Sequence, residues 1–246
     1  MREKTGEEFM QNTFYRNMGR SDQEKGLPQP PLELPSEQGE RINLPAPSAL
    51  SLGATPLNDV IAARRSLRRY SPAPLTLEEL SFLLWCTQGV KKVVPGRATF
   101  RTVPSAGARH PFETYLLINR VQGLSPGIYR FLAIDHQLVQ LETTPGITDR
   151  VVAVCLDQEF IKQSAATFFW VAVPYRTTWR YGARGYRYLH LDAGHVCQNL
   201  YLAATTIDAG ACAIGAFLDE ELNALFGLDG VTRFIIYLAT VGKRPE

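Results

Sequence analysis

An α+β architecture, one sizeable domain behind an extended N-terminal arm, follows from three features of the sequence. Helix-like and strand-like stretches succeed one another without the regular alternation that builds a parallel sheet. With 246 residues, 45% of them hydrophobic, the chain has material for one large core and falls short of the length that asks for two. The opening stretch is compositionally apart. It is rich in Pro, Gly, Gln and charge, with Pro28, Pro30, Pro31, Pro35, Pro45 and Pro47 barring helix or central strand for long distances. Residues 1–54 therefore read as an arm and residues 55–246 as the folded body. Phe9, Phe14, Tyr15, Ile42 and Leu44 give the arm apolar points with which to pack on the body or on a partner subunit. The alternative is a disordered tail.

Along the body, Thr55 before Pro56 has the form of an N-cap and first helical position, opening a helix through Val60, Ile61 and Ala62 that runs out near Arg64. Thr76 with Glu79 three residues on makes a capping box, Leu77, Leu80, Leu83 and Leu84 form an apolar stripe, and Gly89 suits the C-terminal cap. Residues 91–111 read as a loop dense in Gly, Pro, Ser and Arg, before a strand from Glu113 to Asn119. Gly127 to Ile134 and Gln137 to Leu141 read as a hairpin turning at Asp135–His136. Ile147 to Leu156 reads as a helix and Thr167 to Pro174 as a strand buried on both faces. Leu189 to Ala209 carries Ala193, Val196, Cys197, Leu200, Ala203 and Ala204 at helical spacing and is Ala-rich enough for close helix packing. A short segment at Ala211 to Ile214, a helix from Asp219 capped by Gly227, and a strand from Arg233 to Thr240 complete the body.

Composition excludes several function classes. Lys and Arg number 26 against 24 Asp and Glu, so no overall field draws the chain to nucleic acid or an anionic membrane, and any anion site is local. Cys86, Cys155, Cys197 and Cys212 are scattered in apolar surroundings, neither a disulfide framework nor a C-x-x-C metal pattern, which fits reduced thiols in a cytoplasm. The apolar runs are far shorter than the roughly 20 residues that span a bilayer, and Met1 to Met10 lacks a signal-peptide apolar core. His190 and His195 are five apart, off the spacing that sets two metal ligands on one helical face.

Four segments have ligand-binding chemistry. Arg64-Arg65-Ser66-Leu67-Arg68-Arg69 packs four guanidinium forks and a hydroxyl just beyond a short helix, a donor set suited to a phosphomonoester, although a solvated arginine patch has the same composition. Pro104-Ser105-Ala106-Gly107-Ala108-Arg109-His110-Pro111 is a loop of small residues before a strand, able to let backbone approach a planar ligand, or an ordinary tight connection. Gly215, after Ala213-Ile214, offers the same opportunity. Lys243-Arg244 sets two cations directly after a buried strand.

Taken together and in this order, the four segments resemble the nitroreductase family and, more closely, its SagB-type dehydrogenase branch, over about Leu57 to Arg244. The resemblance implies a nitroreductase-like fold with a mixed, mostly antiparallel sheet wrapped by helices, one flavin mononucleotide (FMN) per site, and a homodimer built on the Leu189 to Ala209 helix with sites shared between subunits. It implies that Arg64, Arg65, Ser66 and Arg68 hold the flavin phosphate and ribityl chain, joined by Lys243 or Arg244. Pro104, Ser105, Ala106 and Gly107 would lie along the flavin from across the dimer. The backbone contact to the reactive flavin nitrogen would fall near Ile214 and Gly215. Branch members that oxidise azolines to azoles in peptide maturation carry a Lys-Tyr pair where this chain has Arg180-Tyr181. Lysine can lose its proton when desolvated and arginine does not. Tyr181 remains a candidate proton donor or acceptor, and Arg180 a candidate for orienting an anionic substrate. The expected activity is two-electron hydride transfer to or from a small or peptide-like substrate, with NADH or NADPH visiting rather than staying. Peptide azoline oxidation and a redox-silent role as binding partner in a peptide-modifying complex are the alternatives.

Overall fold

The computed structural model describes residues 4–245. In chain order the elements are helix α1 (Thr5–Asn12), strand β1 (Arg41–Asn43), helices α2 (Leu57–Ala63) and α3 (Leu77–Gln88), and strands β2 (Val90–Val94), β3 (Ala98–Arg101) and β4 (Phe112–Ile118). Then come strands β5 (Gly127–Leu132) and β6 (Gln137–Glu142), helices α4 (Ile147–Val154) and α5 (Phe160–Gln163), and strand β7 (Ala166–Ala172). Helices α6 (Tyr175–Tyr181) and α7 (Gly185–Thr206), strand β8 (Ala209–Ile214), helix α8 (Asp219–Leu225) and strand β9 (Phe234–Lys243) follow.

Seven strands form one sheet in the order β1-β6-β5-β4-β7-β9-β8. Every pairing between these strands is antiparallel, where a mixed, mostly antiparallel sheet is expected, and a parallel contact occurs as the isolated bridge of Ser66 with Ala211 at the β8 edge. Strands β4, β5 and β7 are buried at every position, because apolar residues point from them into both faces of the sheet. On one face, Leu116, Phe168 and Trp170 pack with Leu80, Leu83 and Leu84 of α3 and with Leu189, Ala193, Val196 and Leu200 of α7. On the other, Tyr115, Leu117 and Phe169 pack with Val151, Ile161 and Leu222 of the shorter helices α4, α5 and α8. Among the described residues no helix is long and apolar enough to cross a membrane.

Local chemistry explains most boundaries. The Thr76–Glu79 capping box forms reciprocally and opens α3. Gly89 closes that helix with an ordinary φ of −56°. Its requirement is space: a Cβ there would stand 2.2 Å from the Trp85 ring. Helix α2 begins one residue later than expected, with Pro56 at the N-cap and no side-chain cap. The predicted 91–111 loop is corrected. It opens with the β2–β3 hairpin, whose turn Gly96 permits at φ 66°, and tightens at residues 106–108 with Gly107 at φ 59°. Lys91 and Lys92 obscured the strand pattern because the hairpin is a two-stranded ribbon exposed through its middle.

The arm contains the unpredicted helix α1, which buries no residue, while β1 extends the sheet edge beside β6. Between them the chain packs on the body. Trp179 donates to the Leu27 carbonyl at 2.9 Å, and Gln23 N–H donates to the Trp179 carbonyl at 2.9 Å. The centre of this seam is a buried carboxylate, Glu113 on β4, ion-paired with Arg130 at 3.0 Å and with Arg176. Arg130 also donates to the Leu34 and Pro35 carbonyls and to Glu37, Arg176 donates to the Pro31 carbonyl, and Leu34 N–H donates to Glu113. Burial pushes the Glu113 pKa upward, but Arg176 and Arg130 win and hold it below the ordinary carboxylate value.

Glu113→Gln should therefore lower unfolding stability by about 3–5 kcal/mol, because it strands two buried guanidinium groups. Urea titrations of the two proteins check this. The wild type should also lose stability as pH falls through the depressed Glu113 pKa, a loss that starts below the unfolded carboxylate value near 4. Glu113→Gln should lack that component.

Candidate functional site

A pair of glycines makes the first part of the site. Gly210 of β8 and Gly242 of β9 face each other across the ladder. A Cβ on Gly210 would stand 2.6 Å from the Leu67 side chain, and one on Gly242 would stand 2.7 Å from the Tyr70 ring. In the hollow they leave, the segment after α2 lies along the sheet edge. Leu67 N–H donates to the Ala211 carbonyl at 2.9 Å, and Ser71 N–H donates to the Lys243 carbonyl at 3.0 Å. The Tyr70 hydroxyl donates to the Leu67 carbonyl at 2.6 Å.

With Leu67 and Tyr70 turned into the fold, Arg65, Ser66, Arg68 and Arg69 stay exposed. Among the described residues, none of Arg64, Arg65, Arg68 and Arg69 is ion-paired with a carboxylate. Arg64 lies over the Tyr201 ring, 5.4 Å from its centroid. The Tyr201 hydroxyl accepts from Ala213 N–H at 2.8 Å and shares a 3.0 Å hydrogen bond with Ser66. When Tyr201 is the donor in that bond, the hydroxyl hydrogen of Ser66 is free for a ligand. Unpaired guanidinium forks beside a serine hydroxyl fit a phosphomonoester.

Ile214 ends β8 in the core, and beyond it the backbone is open. The nearest atom to a Cβ built on Gly215 is Tyr237 Cε2, 4.0 Å away. Tyr201 thus joins the arginine segment to the Ile214–Gly215 stretch.

The terminal cations have partners within the chain. Lys243 donates to Glu79 at 2.5 Å and to the Ile207 carbonyl at 2.8 Å, so it ties the capping box of α3 to the end of β9. Arg244 donates to the Ala209 carbonyl at 3.1 Å and lies 4.0 Å from the Asp208 carboxylate. Both sit near the arginine segment, but with partners of their own.

Pro104 to Gly107 form a second cluster elsewhere. Ser105 donates to Asp192 at 2.6 Å, Ala106 N–H donates to the same carboxylate at 3.2 Å, and His110 N–H donates to the Ser105 hydroxyl at 2.9 Å. Burial raises the Asp192 pKa against these hydrogen bonds. Burial, helped by Arg101 and Arg109, lowers the His110 pKa to about 3, so that imidazole is neutral at physiological pH. Gly107 is needed twice over: its φ is positive, and a Cβ there would stand 2.5 Å from the Tyr181 hydroxyl and 3.1 Å from Arg180. The small-residue loop and the Arg180-Tyr181 pair are therefore in contact.

The two clusters hang on the same helix, on different flanks. Asp192 and Tyr201 are nine residues apart on α7, which at 3.6 residues per turn sets them about 180° apart around the axis and roughly 13 Å apart along it. Between them runs the buried stripe of Leu189, Ala193, Val196 and Leu200. Asp192, Tyr201 and the second role of Glu79 escaped the sequence reading. An acid beside an apolar helical stripe was the visible signal for Asp192. The Tyr201 and Glu79 contacts span 135 and 164 residues and left no local trace.

The model of the nitroreductase family matches residues 61–243. The chain is 36% identical to the nitroreductase-family protein MJ1384 of Methanocaldococcus jannaschii, over 77% of this chain and 92% of that one. It is 28% identical to the trifolitoxin-processing protein TfxB of Rhizobium leguminosarum bv. trifolii, over 54% of this chain but 38% of that one. Among solved structures, a nitroreductase-type protein from Ralstonia eutropha shares the fold, with a TM-score of 0.69, 24% identity and coverage of 89% of this chain and 95% of that one. The chain belongs to the nitroreductase family of FMN-dependent oxidoreductases.

Proposed function

We propose that this chain is a homodimeric flavoenzyme of the SagB-type branch, in which each FMN is held by the arginine segment of one subunit and the Pro104 to Gly107 loop of the other. The observation that carries this reading is the placement of the two clusters on opposite flanks of α7. A ligand gripped by both within one chain would have to pass around the helix. A second copy seated on the exposed side of α7 brings one subunit's loop to the other's arginines. Leu191 of α7 and Leu57 and Ile61 of α2 support that seat, since they leave apolar side chains exposed, and Leu57 lines an apolar groove of about 340 Å³ between α2, α3 and α7.

In this reading Arg64, Arg65 and Arg68 with the Ser66 hydroxyl anchor the phosphate, and Tyr201 holds Ser66 in place. The open backbone at Ile214 and Gly215 receives the ring edge and offers an amide to charge that builds on it. Asp192 fixes its own chain's loop from behind, and Gly107 lets the Tyr181 hydroxyl approach that loop. FMN, when bound, supplies two-electron hydride chemistry. Lys243 and Arg244 serve as struts rather than phosphate ligands. The likeness to TfxB supports a second reading, a peptide-maturing oxidase, against which stands arginine at position 180 where azole-forming members carry lysine.

The absorption spectrum of the purified protein, repeated anaerobically with NADPH or NADH, tests the activity. A flavin band that bleaches is the expected result. A band that persists with both nucleotides and bleaches with an azoline peptide would replace the reductase by the oxidase reading, and a colourless protein that FMN cannot reconstitute would overturn both. Two variants separate the cations. Arg68→Glu should abolish flavin retention, whereas Lys243→Met should keep the flavin and lower the Tm by several degrees, because it leaves Glu79 unpaired. Full flavin in Arg68→Glu contradicts the phosphate assignment.

A further inference from the structure

Between the arm and the end of α6 lies a cavity of about 400 Å³, walled by Tyr15, Met18 and Gln23 on the arm side and by Arg180, Tyr181 and Arg184 on the other. Its charge is one-sided. Arg184 donates to the Thr13 carbonyl at 2.7 Å and to the Tyr188 hydroxyl at 2.9 Å. Arg109, beside Arg180, donates to the carbonyls of Gly107 and Arg97 and lies over the Trp179 ring. Arg180 lies over the Tyr181 ring and, among the described residues, has no ion-pair partner. Among the described residues, no carboxylate faces any of these three guanidinium groups at ion-pair distance. Burial and then the charge of Arg180 lower the Arg109 pKa, as expected for cations crowded without a counter-ion. Among the described residues, Glu24 is the one carboxylate lining the cavity, and it is occupied by the Ser21 N–H at 2.7 Å and the Ser21 hydroxyl at 3.0 Å.

We infer that this cavity is a subsite for a carboxylate carried by the substrate, with Arg180 as the receiving cation and the arm as the wall that limits what enters. The inference rests on the oxidoreductase reading and names the substrate class it takes. The planar guanidinium fork matches a carboxylate in two parallel hydrogen bonds. Arg180 is also where it should be for this purpose, because both it and Tyr181 touch Gly107 of the loop assigned to the flavin. Tyr15, Met18 and Gln23 lie outside the family match, which begins at residue 61.

Calorimetric titration of the purified full-length protein, with and without its flavin, using 4-nitrobenzoate and the uncharged 4-nitrobenzamide, tests the subsite. The wild type should bind the carboxylate about tenfold more tightly, the size expected of a charge-assisted hydrogen-bonded pair. Arg180→Gln should erase that preference, and Arg180→Lys should retain part of it. Met18→Trp, which fills the cavity from the arm, should weaken both ligands. Equal affinities in the wild type, or an undiminished preference in Arg180→Gln, would overturn the inference. A flavin-loaded enzyme that binds and reduces both compounds alike sinks the subsite alone. A protein that discriminates between them but never holds flavin sinks the redox reading and leaves the subsite standing.

Discussion

Helix α7 is the constraint on which the rest of the molecule depends. Its 22 residues form a ruler of fixed pitch, so the places where other segments attach to it cannot be adjusted independently. Its apolar stripe is pinned to the sheet by Leu189, Ala193, Val196 and Leu200. With that face fixed, Asp192 must emerge on one flank and Tyr201 on the other. The loop held by Asp192 and the arginine segment tied to Tyr201 inherit that separation. The proposed division of the cofactor site between two copies rests on this rigid helix carrying an anchor on each flank.

Charge is handled in opposite ways in two parts of the molecule. At Glu113 the buried charges are paired: Arg130 and Arg176 share its carboxylate, Arg130 also reaches Glu37, and further donors of both arginines reach arm carbonyls. This matching makes the arm part of the folded body, since removing it would leave Arg130 and Arg176 with unsatisfied donors. Along the Arg64 to Arg69 segment, and again around Arg180, the guanidinium groups have no ion-paired carboxylate among the described residues. A chain with 24 acidic residues has enough to neutralise them.

Sequence alone was informative wherever a local rule governs. The capping box at Thr76, the doubly buried strand at Thr167 and the turn at Asp135–His136 are decided within a few residues, and the structure has all three. The β2–β3 hairpin and α1 were missed because their patterns are set by exposure, where polar residues hide the period. The site motifs were visible as composition, but their internal logic was not. Gly210 and Gly242 matter because Leu67 and Tyr70 lie against them, and Lys243 takes Glu79 as its partner across 164 residues. Such pairings follow from the sheet order and leave no local pattern.

Subunit mixing tests the shared site most directly. Arg68→Glu and Gly107→Val, the second of which sets a branched side chain against Tyr181, should each abolish flavin retention as pure proteins. When the two are unfolded together, refolded with FMN and purified, a shared site predicts that mixed dimers carry both lesions in one site and none in the other. Flavin should then return to about one quarter of the wild-type content per subunit. If each site were built within one chain, every site in the mixture would carry a lesion, and a mixture as empty of flavin as the two parents would contradict the account.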